Sequence, residues 1–167
     1  LEHHNSTILL YPKNGFRDGP PGTQVDADGQ PCDPYLEFLR LVSHEHFHVW
    51  NVKRIRPSVL GPFDYQNENS TRDLWTVEGV TSYYENICLL RANLLTPERF
   101  IGLLADSIKV LESIPGRRLH SLEDASLNAW VKLYRPDEHT RNSSVSYYLK
   151  GEIAACMLDA HIVAESG

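Results

Sequence analysis

Two histidines and a glutamate form an HExxH pattern, and these residue types at this spacing suit metal chemistry. His44 and His48 are four residues apart, so on a helix their imidazoles project from one face and can converge on one ion. Imidazole nitrogen is a good zinc ligand at about 2.0 Å. Glu45 lies beside that face, within reach of a water at the metal, which is where a general base is needed. The pattern predicts one Zn²⁺ ion that activates water.

A catalytic zinc takes three protein ligands and keeps a fourth position open, so one more ligand is expected. Asn51 and Arg54 stand where the metzincin pattern requires glycine and histidine, which excludes that class. Glu78 is the favoured third ligand because it begins an amphipathic helix and faces its inner side. The alternatives in looser contexts are Cys32, Asp64 and Asp73.

The elements that must position these groups are predicted to be mainly α-helical, with a small β element at the start. Residues 6–11 have the composition of a short strand, and the Gly- and Pro-rich segment 12–34 predicts a surface loop. Pro57 and the pair Gly61-Pro62 predict a second loop over residues 57–70. Apolar residues at helical spacing predict helices over about 35–54, 74–93, 96–114 and 122–134, and from about 145 onward.

Length and composition are those of one globular domain. The chain has 167 residues, of which 41% are hydrophobic and 23% charged, with a net charge of −6. This acidic balance lacks the basic footprint of a nucleic-acid binder, and no apolar run reaches the length of about 18 residues that a membrane span needs. Three widely spaced cysteines do not form a disulfide framework, which suits the cytoplasm but also a periplasmic protein without disulfides.

Several motifs in order resemble the catalytic region of the glycyl-aminopeptidase family of gluzincin zinc metallopeptidases. They are HEHFHVWNVKRIRP at 44–57, WTVEGVTSYY at 75–84, PGRR at 115–118, SYYLKG at 146–151 and LEH at 1–3. The resemblance extends over essentially the whole chain, residues 1–167, with 12–34 the least diagnostic part. It implies a thermolysin-like catalytic domain, in which residues 57–70 would be an inserted loop that lines the cleft. It also implies a fragment of a longer protein, with an N-terminal β-rich domain and a C-terminal PDZ-type domain on either side.

The resemblance also implies roles for individual residues. His44, His48 and Glu78 would hold the zinc, and Glu45 would be the general base. Tyr148 is similar to the tyrosine that a related aminopeptidase family uses to hold the oxyanion, and its neighbour Tyr147 is the rival for that role. Glu2 is similar to the glutamate that pairs with the free α-amino group of a substrate.

The function expected from these residues is zinc-dependent hydrolysis of a peptide substrate, as an aminopeptidase acting on N-terminal Gly- or Ala-type residues. Two alternatives stay open. The first is a zinc endopeptidase, and the second is a zinc-binding module that is inactive without its flanking domains. His46, between the two ligand histidines, is expected to point away from the metal and to be structural or exposed.

Overall fold

The computed structural model describes residues 6–12, 24–25, 31–62 and 64–167, and most of these residues are helical. Strands β1 (Gln24–Val25) and β2 (Pro31–Cys32) pair antiparallel, with Gln24 opposite Cys32. The helices are α1 (Pro34–Phe47), α2 (Val80–Arg91), α3 (Pro97–Glu112), α4 (Leu122–Leu127), α5 (Thr140–Ser143) and α6 (Tyr147–Ser166). The π-helical turn Trp75–Gly79 runs directly into α2, and a second one, Ala129–Leu133, follows α4. Short 3₁₀ turns occupy Ser58–Leu60 and Pro115–Arg118.

The mainly α-helical class is confirmed, but the strand predicted over residues 6–11 is wrong. Within residues 6–12 Thr7 alone takes part in a β-bridge, and the alternate residues Ile8 and Leu10 are 65% and 95% exposed. A strand needs paired residues along its length, and in the described structure this segment has a single bridge residue. Its other end contacts α1. There Tyr11 packs its ring on Phe38 and donates a hydrogen bond to the carbonyl of Pro34. The small β element is the hairpin, which lies inside the predicted loop 12–34; residues 13–23 and 26–30 of that loop lie outside the described residues.

Helix α1 carries the two histidines and ends earlier than the sequence pattern predicts. It begins at Pro34, after Asp33, whose carboxylate accepts a hydrogen bond from the Leu36 amide at 3.1 Å. It ends at Phe47 with His48 as its C-cap, whereas the apolar spacing predicts a helix to about residue 54. The chain turns back over residues 48–55 because Val52 adopts a φ of 149°, which no helix contains. The apolar residues after 48 therefore belong to a turn.

Helices α3, α4 and α6 begin close to the predicted positions. The hydroxyl of Thr96 accepts from the Arg99 amide at 3.2 Å, with proline at the first position of α3, as the sequence predicts. The predicted helix 122–134 divides into α4 and the second π turn, and α6 begins two residues after the predicted start. No helix of the described residues is long and apolar enough to cross a membrane.

The start of α2 crosses α6 at a contact between two glycines. A Cβ built on Gly79 would lie 2.5 Å from the Cα of Gly151, and a Cβ on Gly151 would lie 2.9 Å from the Cα of Gly79. Both distances are too short for side-chain atoms, so only glycine permits this crossing. Beside it lies an apolar cluster whose buried members are Ala125, Ala129, Val145 and Tyr147. A second cluster, Leu36, Leu89 and Leu95, joins α1 to the end of α2.

Replacing Gly79 with alanine should lower the free energy of unfolding by about 1–3 kcal/mol, because the new methyl group has no space against α6. The matched control is Gly102→Ala in α3, where a Cβ would meet nothing within 4 Å. That control should be neutral or stabilising by up to about 1 kcal/mol, since alanine is the better helix former. Urea unfolding of both variants measures the difference, and equal stabilities would contradict the close crossing.

Candidate metal centre

The histidines and Glu78 converge at the point where the end of α1 faces the π turn before α2. The His44 and His48 rings lie edge to face, with centroids 4.8 Å apart. The Nε2 atoms of His44 and His48 lie 3.1 and 3.3 Å from the same oxygen, Oε2 of Glu78. One ligand atom from each residue lies within 4.8 Å of the others. The three groups therefore form one cluster able to hold a metal ion.

The two distances from Glu78 to the imidazole nitrogens fit a tetrahedral ion. Ligand atoms placed about 2.0–2.1 Å from such an ion at tetrahedral angles are about 3.3 Å from one another. The contacts of Glu78 with the two imidazoles have that length. Two imidazoles and one carboxylate also match the donor set of catalytic metal sites that keep a fourth position open.

Each histidine is oriented through its other ring nitrogen. Nδ1 of His48 donates to the backbone carbonyl of Asn51 at 2.9 Å, which leaves Nε2 free to act as a ligand. Nδ1 of His44 lies 2.7 Å from Oε2 of Glu85, a buried carboxylate in α2. The other oxygen of Glu85 accepts from Arg40, at 3.0 Å from Nε and 2.8 Å from Nη2. A histidine ligand supported by a carboxylate is a common feature of metal sites.

The shifted pKa values show that the cluster stabilises positive charge next to the carboxylate of Glu78. Burial disfavours the imidazolium of His44, but its hydrogen bonds to the carboxylates of Glu78 and Glu85, and the negative charges of these groups, outweigh this penalty and raise the pKa of His44 to about 9. Burial also penalises the charged form of His48. The hydrogen bond to Glu78 and the charge of that carboxylate outweigh this penalty and raise the pKa of His48. The pKa of Glu78 falls to about 2 because hydrogen bonds from both histidines overcome the cost of burying its charge. A metal cation can replace the protons that satisfy this carboxylate.

The candidate base and the candidate oxyanion donor line the same cavity as the three ligands. This cavity has a volume of about 470 Å³, and Glu45 and Tyr148 are in its wall. The Tyr148 ring centroid lies 6.5 Å from that of His44. Burial, together with the charge of Glu78, raises the pKa of Tyr148, so its hydroxyl remains a donor at neutral pH.

The two adjacent tyrosines at the start of α6 face different surroundings. Tyr147 is buried in the apolar cluster, while Tyr148 reaches the metal cavity. Their hydroxyls share one partner, the hydroxyl of Tyr134, at 3.1 and 3.2 Å. The neighbouring Lys150 donates to the carbonyls of Arg117 and His120, which ties α6 to the PGRR turn. Of the two, only Tyr148 lines the metal cavity.

The other residues considered for the site lie elsewhere. Asp64 is exposed and its carboxylate accepts from Asn67 and from the amide of residue 66, while Asp73 is bonded to Thr71. His46 is exposed and packs edge-on against Trp50, as expected. Glu2 and the side chain of Cys32 lie outside what the structure describes.

Two residues that the motifs do not single out contact the site. Glu85 contacts Nδ1 of His44. It lies seven residues, or about two helical turns, after Glu78, and this spacing is the sequence signal that identifies it. Asn51 binds both His48 and the π turn of Glu78, which no local pattern reveals.

The helical fold and the His-His-Glu cluster are those of a metallopeptidase-like domain. A sequence profile of the M61 glycyl aminopeptidase family matches residues 37–154, and the chain belongs to this family. Its structure is similar to the crystal structure of an aminopeptidase N family protein from Idiomarina loihiensis, with a TM-score of 0.86 and 35% identity. That match covers 99% of this chain and 27% of the other, so the chain spans about a quarter of the relative. None of the curated proteins matches the chain.

Replacing Glu78 with alanine should weaken binding of Zn²⁺ by more than about 100-fold, because a ligand counts for more than the surrounding residues that orient it. Competition with a chromophoric chelator measures the affinity. Glu112→Ala, which removes an exposed carboxylate at the end of α3, is the control and should bind like the unmodified protein. Undiminished affinity of the Glu78 variant would show that Glu78 is not the third ligand.

Proposed function

We propose that the chain is the catalytic domain of a zinc-dependent peptidase, with a thermolysin-like arrangement of its site, that removes N-terminal Gly- or Ala-type residues from peptides. The observation that carries this proposal is the convergence of His44, His48 and Glu78 on one point, in a cavity that Glu45 and Tyr148 also line. Membership of the M61 glycyl aminopeptidase family supports it.

One zinc ion is the cofactor that this donor set favours. His44 and His48 would each supply Nε2, and Glu78 a carboxylate oxygen. When bound, zinc is a Lewis acid that polarises the scissile carbonyl and acidifies water.

The protein's own groups then supply the proton transfers and part of the charge stabilisation. Glu45 takes a proton from the attacking water and passes it to the leaving amine. Tyr148 donates its hydroxyl hydrogen bond to the oxygen that becomes negative in the transition state. Tyr134 fixes the orientation of that hydroxyl from 3.2 Å away.

A second cavity gives a peptide room beside the metal. It has a volume of about 300 Å³ and shares Glu78 and Tyr148 with the metal cavity. Leu60 and Asn69, from the segment that the sequence predicts as a cleft loop, line it. We assign this space to a residue next to the scissile bond.

Selectivity for peptide N-termini would come from Glu2, which lies outside the described residues. A carboxylate near the metal favours a free α-ammonium group through a charge-assisted hydrogen bond. The whole protein would add a β-rich domain before this one and a PDZ-type domain after it, and either could complete the substrate site. The small coverage of the Idiomarina protein's chain is compatible with such flanking domains.

Changing Glu45 to glutamine should leave zinc binding intact and lower kcat by about 10²–10⁴-fold, since glutamine cannot accept the proton of water. The two measurements are the zinc content and the rate of hydrolysis of an alanyl or glycyl peptide amide. Glu112→Gln is the control, with the same substitution on an exposed surface. Full activity of the Glu45 variant would assign the base to another residue.

Substrates with and without a free N-terminus distinguish the possible activities. We expect cleavage of Gly- and Ala-containing dipeptide amides, loss of cleavage when the amine is acetylated, and inhibition by a metal chelator, because the free ammonium group is part of the recognition. Cleavage of the acetylated peptides would indicate an endopeptidase. Zinc binding without cleavage of either would indicate a metal-binding module that depends on its flanking domains.

A further inference from the structure

Asn51 lies in the turn after α1 and contacts both segments that carry ligands of the proposed metal site. Its backbone carbonyl accepts from Nδ1 of His48 at 2.9 Å. Its side-chain nitrogen lies 2.9 Å from the carbonyl of Thr76 and 3.0 Å from that of Val77, the two residues immediately before Glu78. One residue therefore joins the end of the histidine helix to the start of the glutamate helix.

The π turn is what sets the direction of Glu78 relative to the rest of α2. The Val80 amide bonds to the carbonyl of Trp75, five residues back, so the turn holds one residue more than an α-helical turn. Each residue of an α-helix rotates the chain by about 100°, so loss of the extra residue would turn the preceding side chains away from their present direction. Glu78 faces His44 and His48 only while this wide turn is kept.

The side-chain amide of Asn51 is hydrogen-bonded to groups of this wide turn. Besides the two carbonyls, it donates to the hydroxyl of Thr81 at 3.1 Å, and that hydroxyl donates to the carbonyl of Val77. Thr81 is completely buried, so no water replaces the amide there. Removing the amide would take one hydrogen-bond donor away from each of these three groups, and in a buried turn this loss is unfavourable.

The backbone is strained at the residue after Asn51, and this strain contributes to the contact between the Asn51 carbonyl and His48. Val52 has a φ of 149°, a positive value that a β-branched residue adopts only where its surroundings force it. The carbonyl of Asn51 belongs to the same peptide plane as the Val52 nitrogen. The rotation at Val52 therefore helps to orient the carbonyl that accepts from His48.

We propose that Asn51 is a positioning residue of the metal site: its carbonyl fixes the ring of His48, and its side-chain amide holds the π turn that directs Glu78. The inference rests on the proposed function, because it assumes that these residues bind a metal. It assigns Asn51 no contact with the metal or the substrate. Its effect is to keep two ligands from separate segments in one geometry.

The test measures metal affinity instead of turnover. Asn51→Ala should weaken Zn²⁺ binding by about 10–100-fold, as the loss of groups that orient ligands does, and should alter the visible absorption spectrum of bound Co²⁺. The control is Tyr83→Phe, which removes a hydrogen bond from the same helix to Asp159 and touches neither the turn nor the ligands. The control should keep its zinc affinity within about two-fold of the unmodified protein, although it also loses stability.

The outcomes separate this inference from the proposed function. If the unmodified protein binds neither Zn²⁺ nor Co²⁺, the proposed metal site is wrong and the inference falls with it. If the unmodified protein binds zinc and Asn51→Ala binds it equally well, only the inference is wrong. If Asn51→Ala does not fold, Asn51→Ser decides, because it removes the side-chain amide and keeps a polar side chain at this position: weaker zinc binding supports the inference, and unchanged binding overturns it.

Discussion

The contact of one carboxylate with two imidazoles is the constraint on which the rest of the described structure depends. Glu78 reaches His44 and His48 from a segment about thirty residues further along the chain, and all three groups are at least partly buried. Burying such groups is unfavourable unless their charges and hydrogen bonds are matched. The end of α1 must therefore meet the start of α2 closely and in one orientation.

A second set of polar groups forms hydrogen bonds that offset part of the cost of burying these residues. Glu85 accepts from Arg40 with one oxygen and contacts His44 with the other, so the His44 ring, a carboxylate and a guanidinium form one chain of charge-assisted hydrogen bonds. This chain of hydrogen bonds runs between α1 and α2, and Arg40 and Glu85 line the same cavity as Glu78. The same contacts that bind the two helices together thus also hold His44, the first proposed ligand, in place. Stability and site geometry therefore have a common cause.

The sequence predicts what depends on local spacing and misses what depends on contacts between segments. HExxH identifies His44 and His48 because both lie on a short stretch at the end of one helix. Thr96 and Pro97 likewise identify the start of α3, because a helix cap is a local pattern. The turn after α1 is held by the contact of Asn51 with the π turn, 25 residues away, and apolar spacing in the sequence gives no sign of this contact. The strand predicted over residues 6–11 fails likewise, since strand-like composition does not supply a neighbouring strand.

The close crossing of α2 and α6 links the ligands to the proposed oxyanion donor. Gly79 directly follows Glu78, and Gly151 lies three residues, almost one helical turn, after Tyr148. Since the two backbones meet at these glycines, the distance between the carboxylate and the phenol depends on the absence of side chains at the crossing. Tyr147, on the other side of the start of α6, anchors the same turn in the apolar cluster with Ala129. The helix therefore uses one tyrosine for packing and directs its neighbour into the metal cavity, which explains why two adjacent aromatic residues of the same type have different surroundings.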